Sequence, residues 1–354
     1  MAEAARSFVR IDEVAGCGQS FDRRGNWSAG RVHVTSRASA GITLAVAASI
    51  AGARCRPYES ATRHRRHGRG CHRPASAPKC TYDHAALLAG ARLVEVGTSG
   101  FPGRGASWPW QVEAAITDRT TAILWPISDI PGVASLEEVC EIAHRHGLDV
   151  IVDAAAALPP VTNLRTFIDR GADAVIFSGG KAIRGPQSTG IVAGRADLIE
   201  SIALQHQDMD VYPQTWSLRS KYLESGVLPG PPHHGIGRGF KVGKEEIIGL
   251  MVALERYLVC DHEAELAAWL ARMNALASCV KGIASVSAEV FIDPKRPIPV
   301  LRLHLDESVI GRRLRRRQQL AEGEPPMLLS EGLRLPELSR STQWGCGKMK
   351  RSSS

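Results

Sequence analysis

The strongest constraint on this chain is a repeated alternation between residues 81 and 205, where short Val/Ile-rich runs are separated by helical stretches. Residues 81–90 read as a helix closing at Gly90, and 91–96 as a strand. A second apolar strand covers 120–125. Ser135 and Glu138 form a capping box ahead of Leu136, Val139, Ile142 and Ala143, which recur at helical spacing until Gly147 stops the helix. The run DVIVD, 149–153, is a short buried strand that ends in a carboxylate. A helix over 163–170 stopped by Gly171, strands over 173–177 and 190–194, and a helix over 197–205 complete the series. Such strands predict parallel β-α-β units with helices on both sheet faces, an α/β architecture. Ligands in such sheets bind beyond the carboxyl ends of the strands.

Outside that stretch the pattern loosens. Residues 206–240 read as a long irregular segment, rich in Gly, Pro and His toward its end. Helices follow over 245–259 and about 262–280, then alternating strands at 285–292 and 299–306. The expected division is an N-terminal helical arm over 1–30 and a large domain over 31–240. A small C-terminal α+β domain over 241–335 and a disordered tail over 336–354 follow. Residues 51–80 lack periodicity and are expected to be irregular or disordered. That stretch and the end of the chain read either as coding sequence out of frame or as a natural loop and tail.

Composition narrows the function classes. A hydrophobic fraction of 44% over 354 residues supports a large core. The net charge of +8 is local, because 51–80 holds eight basic side chains against the single acid Glu59. A nucleic-acid reading would rest on that segment and on 312–317 alone, without interleaved aromatics. The eight cysteines show no short-spaced pairs of the kind a zinc site uses, and suggest reduced thiols in the cytoplasm. The first residues carry mixed charge and no apolar core, unlike a secretory signal. The apolar run 42–51 is too short to span a bilayer and predicts a buried helix. Gly235–Gly239 follows no clear strand, so it is not a dinucleotide fingerprint, and His233 and His234 read as an exposed loop.

Three segments carry chemistry. Asp153 closes a buried strand, where an acid needs a partner. Lys181 follows a strand ending at Ser178 and two glycines that allow a tight bend and close ligand approach. A half-buried lysine there would have a nucleophilic amine. One β-α-β unit separates Asp153 from Lys181, so both face one cleft. This pair suits pyridoxal 5′-phosphate: the lysine forms the Schiff base, and the carboxylate keeps the pyridine nitrogen protonated. Ser178 is placed to hydrogen-bond the cofactor phosphate. A cup of backbone N–H groups for that phosphate is expected where Ser36, Ala38, Ser39 and Ala40 precede an apolar helix, with Ser39 as main ligand and Ala38 beside it. Arg184 and Gln187, just past the lysine, are candidate contacts for a small amino-acid-type substrate. Arg184 reads equally as a salt-bridge partner for a neighbouring subunit.

The strings TSRASAG, VIVDAAA, IFSGGKAIRGPQSTGIVAGRADLIE and GRGFKVGKEEIIGL resemble the selenocysteine synthase-like branch of the fold-type-I pyridoxal-phosphate enzymes. That branch includes L-seryl-tRNA(Sec) selenium transferase and D-glucosaminate-6-phosphate ammonia-lyase. The resemblance covers roughly 32–50 and 81–335. It implies a mostly parallel sheet, Lys181 as the Schiff-base lysine and Asp153 as the pyridinium partner. The region of Arg238 and Lys241 would bind substrate or a phosphate, and two or more copies would share a cleft. A lyase or eliminase is expected; a selenium transferase and a non-catalytic remnant with a damaged cofactor site are the alternatives. Two departures stand out. Arg37 occupies a position where that branch usually has Gly, so the loop rearranges or its side chain points away. Residues 51–80 replace the part that would stack on the cofactor ring, for which His72 is the available stand-in.

Overall fold

The computed structural model describes residues 30–51, 70–74, 83–97, 107–127, 134–207, 212–232, 235–293, 296–305, 319 and 322–324. The chain divides into two compact units, Met1–His262 with Pro294–Pro297, and Glu263–Asp293 with Ile298–Ser354. Of the predicted arm over 1–30, residues 1–29 lie outside the described residues, as do the tail over 336–354, His233, His234 and 312–317.

In the first unit the elements run β1 (Gly30–Thr35), α1 (Ala38–Ala51), β2 (Gly70–Pro74), α2 (Asp83–Leu88), β3 (Arg92–Val96) and α3 (Pro109–Ala115). They continue with β4 (Thr120–Pro126), α4 (Leu136–Arg145), β5 (Asp149–Asp153), α5 (Asn163–Asp169), β6 (Ala174–Ser178), β7 (Gly190–Arg195) and α6 (Ala196–His206). A 3₁₀ turn (Pro213–Thr215), the short helix α7 (Arg219–Tyr222), a second 3₁₀ segment (Ile236–Phe240) and α8 (Lys244–Val259) close the unit. The second unit contains most of α9 (His262–Cys279) and pairs β8 (Val286–Asp293) with a strand, β9, that spans Arg296–Leu305.

Among the described residues, seven strands form one sheet in the order β1-β7-β6-β5-β4-β2-β3. Strands β6, β5, β4, β2 and β3 are mutually parallel along the ladder. The sheet is mostly parallel, as expected, and β7 is the exception: it runs antiparallel to both β6 and β1. The cause is the link: the chain from Ser178 to Gly190 makes a turn and not a crossover helix, and a short link can only reverse a strand. The expectation for 51–80 is corrected in part, because Gly70–Pro74 forms a strand between β3 and β4.

Period-2 alternation sorts each strand's side chains between two cores. Ile123, Trp125, Val150, Val152, Val175 and Phe177 join one cluster, with α4, Phe167 of α5, and Ile247 and Leu250 of α8. Ala122, Leu124, Ile151, Ala174, Ile176 and Val192 join the other, with α1, α2 and α6. Helix α1 is buried on nearly every side, as its uniform apolar sequence requires. Helix α4 is amphipathic and opens with the predicted box: the Glu138 N–H donates to Ser135 Oγ (3.3 Å), and the Ser135 N–H donates to Glu138 Oε2 (2.7 Å). Gly147 and Gly171 end their helices with φ of 65° and 104°, values that favour glycine. Among the described residues, no helix is long and apolar enough to cross a membrane.

The amino edge of the sheet is held by a buried acid. Asp173, 6% exposed, accepts the Val150 N–H (2.8 Å) and contacts His144 Nε2 (2.9 Å) and the Arg195 guanidinium. Arg195 also reaches Asp149 (3.0 Å). Burial pushes the Asp149 carboxyl above the usual carboxylate range, a shift that the Arg195 guanidinium opposes. Removing Asp173 leaves these donors facing a void. Asp173→Ala should cost about 3 kcal/mol, read as a lower urea midpoint at unchanged slope.

Candidate active site

The carboxyl ends of β1, β6 and β5 are brought together by the strand order. Strand β7 lies between β1 and β6, and Gly190 pairs with Thr35 on one side and Ser178 on the other. Asp153 pairs with Ile176, two residues before Ser178. The four strands β1, β7, β6 and β5 are adjacent, separated by gaps of about 4.8 Å. The end of β1, Ser178 and Asp153 therefore lie along one edge.

Asp153 is half-buried, and its Oδ1 accepts the Ala155 N–H at 3.1 Å. This bond fixes one face of the carboxylate at the strand end. Ser178 is half-buried as well. The turn after it is tightly internally bonded: the Gly179 N–H donates to Thr189 O (2.9 Å), the Gly185 N–H to Gly179 O (2.8 Å) and the Arg184 N–H to Lys181 O (2.9 Å). A Cβ at Gly179 would lie 2.1 Å from Thr189 Oγ1, and one at Gly180 would lie 2.6 Å from Gln187 Cα. Close packing within the turn thus requires both glycines, before any ligand approaches. Arg184 adopts φ 61°, a left-handed conformation uncommon for a non-glycine residue.

The sequence predicts a half-buried Lys181, and the structure corrects this: Lys181 is exposed in the single chain. The glycine turn carries it past the strand end, away from the core. Arg184, Gln187, Arg238 and Lys241 are exposed too.

Beyond the end of β1 lies a cavity of about 690 Å³. Ser36, Arg37, Ser39, Ala40 and Thr43 form one wall, His84, Ala85 and Leu88 a second, and Ser188, Gly239, Phe240, Lys241 and Glu246 the rest. Ser39 and Lys241 are thus brought into one cavity; Ala38 is buried beside it. Asp153, Ser178, Lys181, Arg184, Gln187 and Arg238 do not line it. Helix α1 starts at this cavity, has no acid in its first turn, and makes its first intrahelical bond from the Gly41 N–H to Arg37 O (3.1 Å). The N–H groups of Ala38, Ser39 and Ala40 precede that bond, the arrangement that binds anions at helix starts. Arg37 keeps its side chain exposed, while its carbonyl also accepts the Thr35 hydroxyl (2.9 Å). Among the described lining residues, Glu246 is the one acid. It accepts the Gly243 N–H (3.0 Å) and the Ser188 hydroxyl.

Sequence reasoning missed three parts of this site. Strand β1 carries the loop, Glu246 enters from α8, and a histidine pair stands behind the cavity. His33 of β1 and His206 at the end of α6 are 2.8 Å apart, and His206 Nε2 is 2.8 Å from Phe240 O. The alternation in RVHVT was the available signal for β1. No sequence signal pairs His33 with His206. His72 lies within β2, level with Val94 and Ile123, and not beyond that strand's end.

The closeness of Gly190 to the loop can be tested. A Cβ there would sit 2.5 Å from Arg37 C, 2.6 Å from Arg37 O and 2.7 Å from Ala38 N, all backbone atoms. Gly190→Ala should displace the loop and weaken pyridoxal 5′-phosphate binding tenfold or more, by roughly the loss of one or two hydrogen bonds. Spectral titration measures it; unchanged affinity would show that the loop holds no phosphate.

Comparison with known proteins fits this geometry. The DegT/DnrJ/EryC1/StrS aminotransferase family profile matches residues 84–202. D-glucosaminate-6-phosphate ammonia lyase of Salmonella typhimurium is 33% identical over 321 residues, covering 88% of this chain and 74% of the relative. The 5′-C-glycyluridine monooxygenase-decarboxylase of a Streptomyces species is 30% identical over 327 residues, covering 88% and 71%. A solved structure of D-glucosaminate-6-phosphate ammonia-lyase superimposes with a TM-score of 0.69 at 27% identity, over 94% of this chain and 80% of that one. The architecture is fold type I and the cofactor is pyridoxal 5′-phosphate. The chain belongs to the family of pyridoxal-phosphate-dependent enzymes that includes D-glucosaminate-6-phosphate ammonia lyase.

Proposed function

We propose that this enzyme is a lyase that eliminates a substituent from an amino acid or phosphorylated amino-sugar acid, with Lys181 carrying the cofactor. The observation that carries the reading is the shared edge. Asp153, the Ser178–Lys181 turn and the Ser36–Ser39 loop lie at the carboxyl ends of strands that β7 keeps adjacent. One of the relatives that match over most of this chain is named D-glucosaminate-6-phosphate ammonia lyase. We place the enzyme in the cytoplasm, as a homo-oligomer.

The residues present fit the cofactor. The first-turn N–H groups of α1 and the Ser39 hydroxyl face a cavity, and no first-turn acid repels a phosphate there. Ala38 supplies a backbone donor to the same group, and Ser178 a hydroxyl from the neighbouring turn. When bound, pyridoxal phosphate supplies an electron sink for negative charge at the substrate Cα. Asp153, its carboxylate oriented by the Ala155 N–H, would hold a proton on the ring nitrogen. Lys181 Nζ would hold the cofactor and, when not attached to it, would be the base for the substrate Cα proton. Its exposure past the glycine turn leaves the amine room to move between those two roles. Arg184, Gln187, Arg238 and Lys241 are the proposed substrate contacts, the cations among them suited to carboxylate or phosphate.

The purified enzyme should be yellow, absorbing at about 420 nm when the lysine holds its cofactor. Lys181→Ala should lose that band while still taking up cofactor reversibly. Asp153→Asn should keep the band and lower turnover by about 10²-fold or more, since the ring nitrogen loses its charged partner. Ammonia release from phosphorylated and unphosphorylated 2-amino sugar acids would identify the substrate class. A colourless wild type that takes up no added cofactor would favour the non-catalytic remnant and end the proposal.

A further inference from the structure

Behind the cavity, two histidines join its walls. His33 lies in β1, three residues before Ser36, and is 4% exposed. His206 ends α6. Their rings meet edge to face, with centroids 5.1 Å apart and planes at 82°. His33 Nε2 and His206 Nδ1 are 2.8 Å apart, and His206 Nε2 lies 2.8 Å from the carbonyl oxygen of Phe240. Phe240 and Lys241 line the cavity on one side; the loop that follows β1 lines the other.

The hydrogen bonds fix the protons. A carbonyl only accepts, so His206 Nε2 carries hydrogen and donates to Phe240 O. A neutral His206 then has a bare Nδ1, which accepts from His33 Nε2–H. His33 Nδ1 is therefore bare, and it has no hydrogen-bond partner among the described residues. Neutrality follows from burial, since desolvation disfavours imidazolium at both rings, with the His206 ring opposing His33 further. The Ile236–Phe240 segment is also pressed onto the end of α6. A Cβ at Gly237 would fall 2.3 Å from His206 Cα, and one at Gly235 would fall 2.5 Å from Gln207 O. This contact gives GIGRG its first two glycines.

We infer that His33 and His206 are a positioning pair, a neutral brace that holds the Phe240–Lys241 wall at a fixed distance from the Ser36–Ser39 loop and so sets the cavity for a phosphomonoester. The inference rests on reading that cavity as the phosphate end of the cofactor site. Neither histidine touches the cofactor. Each acts through backbone: His33 through the strand that ends in the loop, His206 through the Phe240 carbonyl.

The test compares His206→Leu, which removes both bonds, with His206→Gln, whose amide can still donate to Phe240 O. Affinities are measured by spectral titration for pyridoxal 5′-phosphate and for pyridoxal, which lacks the phosphate. His206→Leu should weaken the phosphate form by roughly tenfold, as for one lost hydrogen bond, and leave pyridoxal within about twofold. His206→Gln should restore most of the loss. Nitrogen-15 spectra of labelled histidine should show both rings neutral and protonated at Nε2 at pH 7. Equal losses for both compounds, no loss at all, or a charged ring at pH 7 would overturn the brace. Amide hydrogen exchange of the cofactor-free protein separates this inference from the one beneath it. Faster exchange at 236–241 in His206→Leu supports the brace even if the wild type binds no cofactor. Unchanged exchange there sinks the brace whatever the cofactor does.

Discussion

Gly190 is the contact on which the site depends. It opens β7, pairs with Thr35 and Ser178 at once, and leaves no room for a side chain beneath the Arg37–Ala38 backbone. The missing Cβ lets the loop after β1 settle directly on β7. Because β7 is reversed, its first residue arrives at the carboxyl edge of the parallel strands, where ligands bind in such sheets. The Ser36–Ser39 loop and the Ser178–Lys181 turn are thereby held one strand apart. A crossover helix before β7 would have delivered its other end to this edge.

The same reversal settles the opposite edge. Arg195, the last residue of β7, arrives beside Asp149 and Asp173 at the amino ends of β5 and β6. There it meets acids whose burial would otherwise be costly. The sheet thus segregates two kinds of carboxylate. Asp173 is surrounded by donors from Arg195, His144 and Val150 and serves the fold. Asp153, at the other end of β5, is half-buried with one oxygen fixed by Ala155, and it is the carboxylate proposed to meet the cofactor ring.

The parts legible in the sequence are those with local causes. DVIVD forms a strand over the expected residues because it is apolar and β-branched, and its acid falls at the carboxyl end. The Ser135–Glu138 box and Gly147 bound α4 because caps act within one turn. The uniformly apolar 42–51 has no polar face to offer water, and it is buried. What the sequence hides depends on long-range partners. Strand β1 is six residues long, and its partner β7 lies far away in sequence. The basic run of 51–80 conceals β2, whose register comes from β3 and β4 and not from its own composition. The direction of β7 is not legible because apolar strands look alike in either sense. Lys181 follows a buried strand, which suggests half-burial, yet two glycines are enough to lift a side chain out of a core.

The cavity's electrostatics follow from the same layout. Among the described residues its lining holds Arg37 and Lys241, with His84 beside them, against one carboxylate, Glu246. That carboxylate already accepts the Ser188 hydroxyl and the Gly243 N–H at the start of α8, so its charge is committed to joining the lysine turn to that helix. An anion entering the cavity meets the start of α1, hydroxyls from Ser36 and Ser39, and two exposed cations. Arg37 stands where the resembling branch usually has glycine, and the loop tolerates it because the backbone keeps its course while the side chain stays in solvent. The polar wall would be loose if Lys241 followed a free strand of chain. It follows Phe240 instead, whose carbonyl is held by His206, a ring that burial keeps from easily taking a second proton.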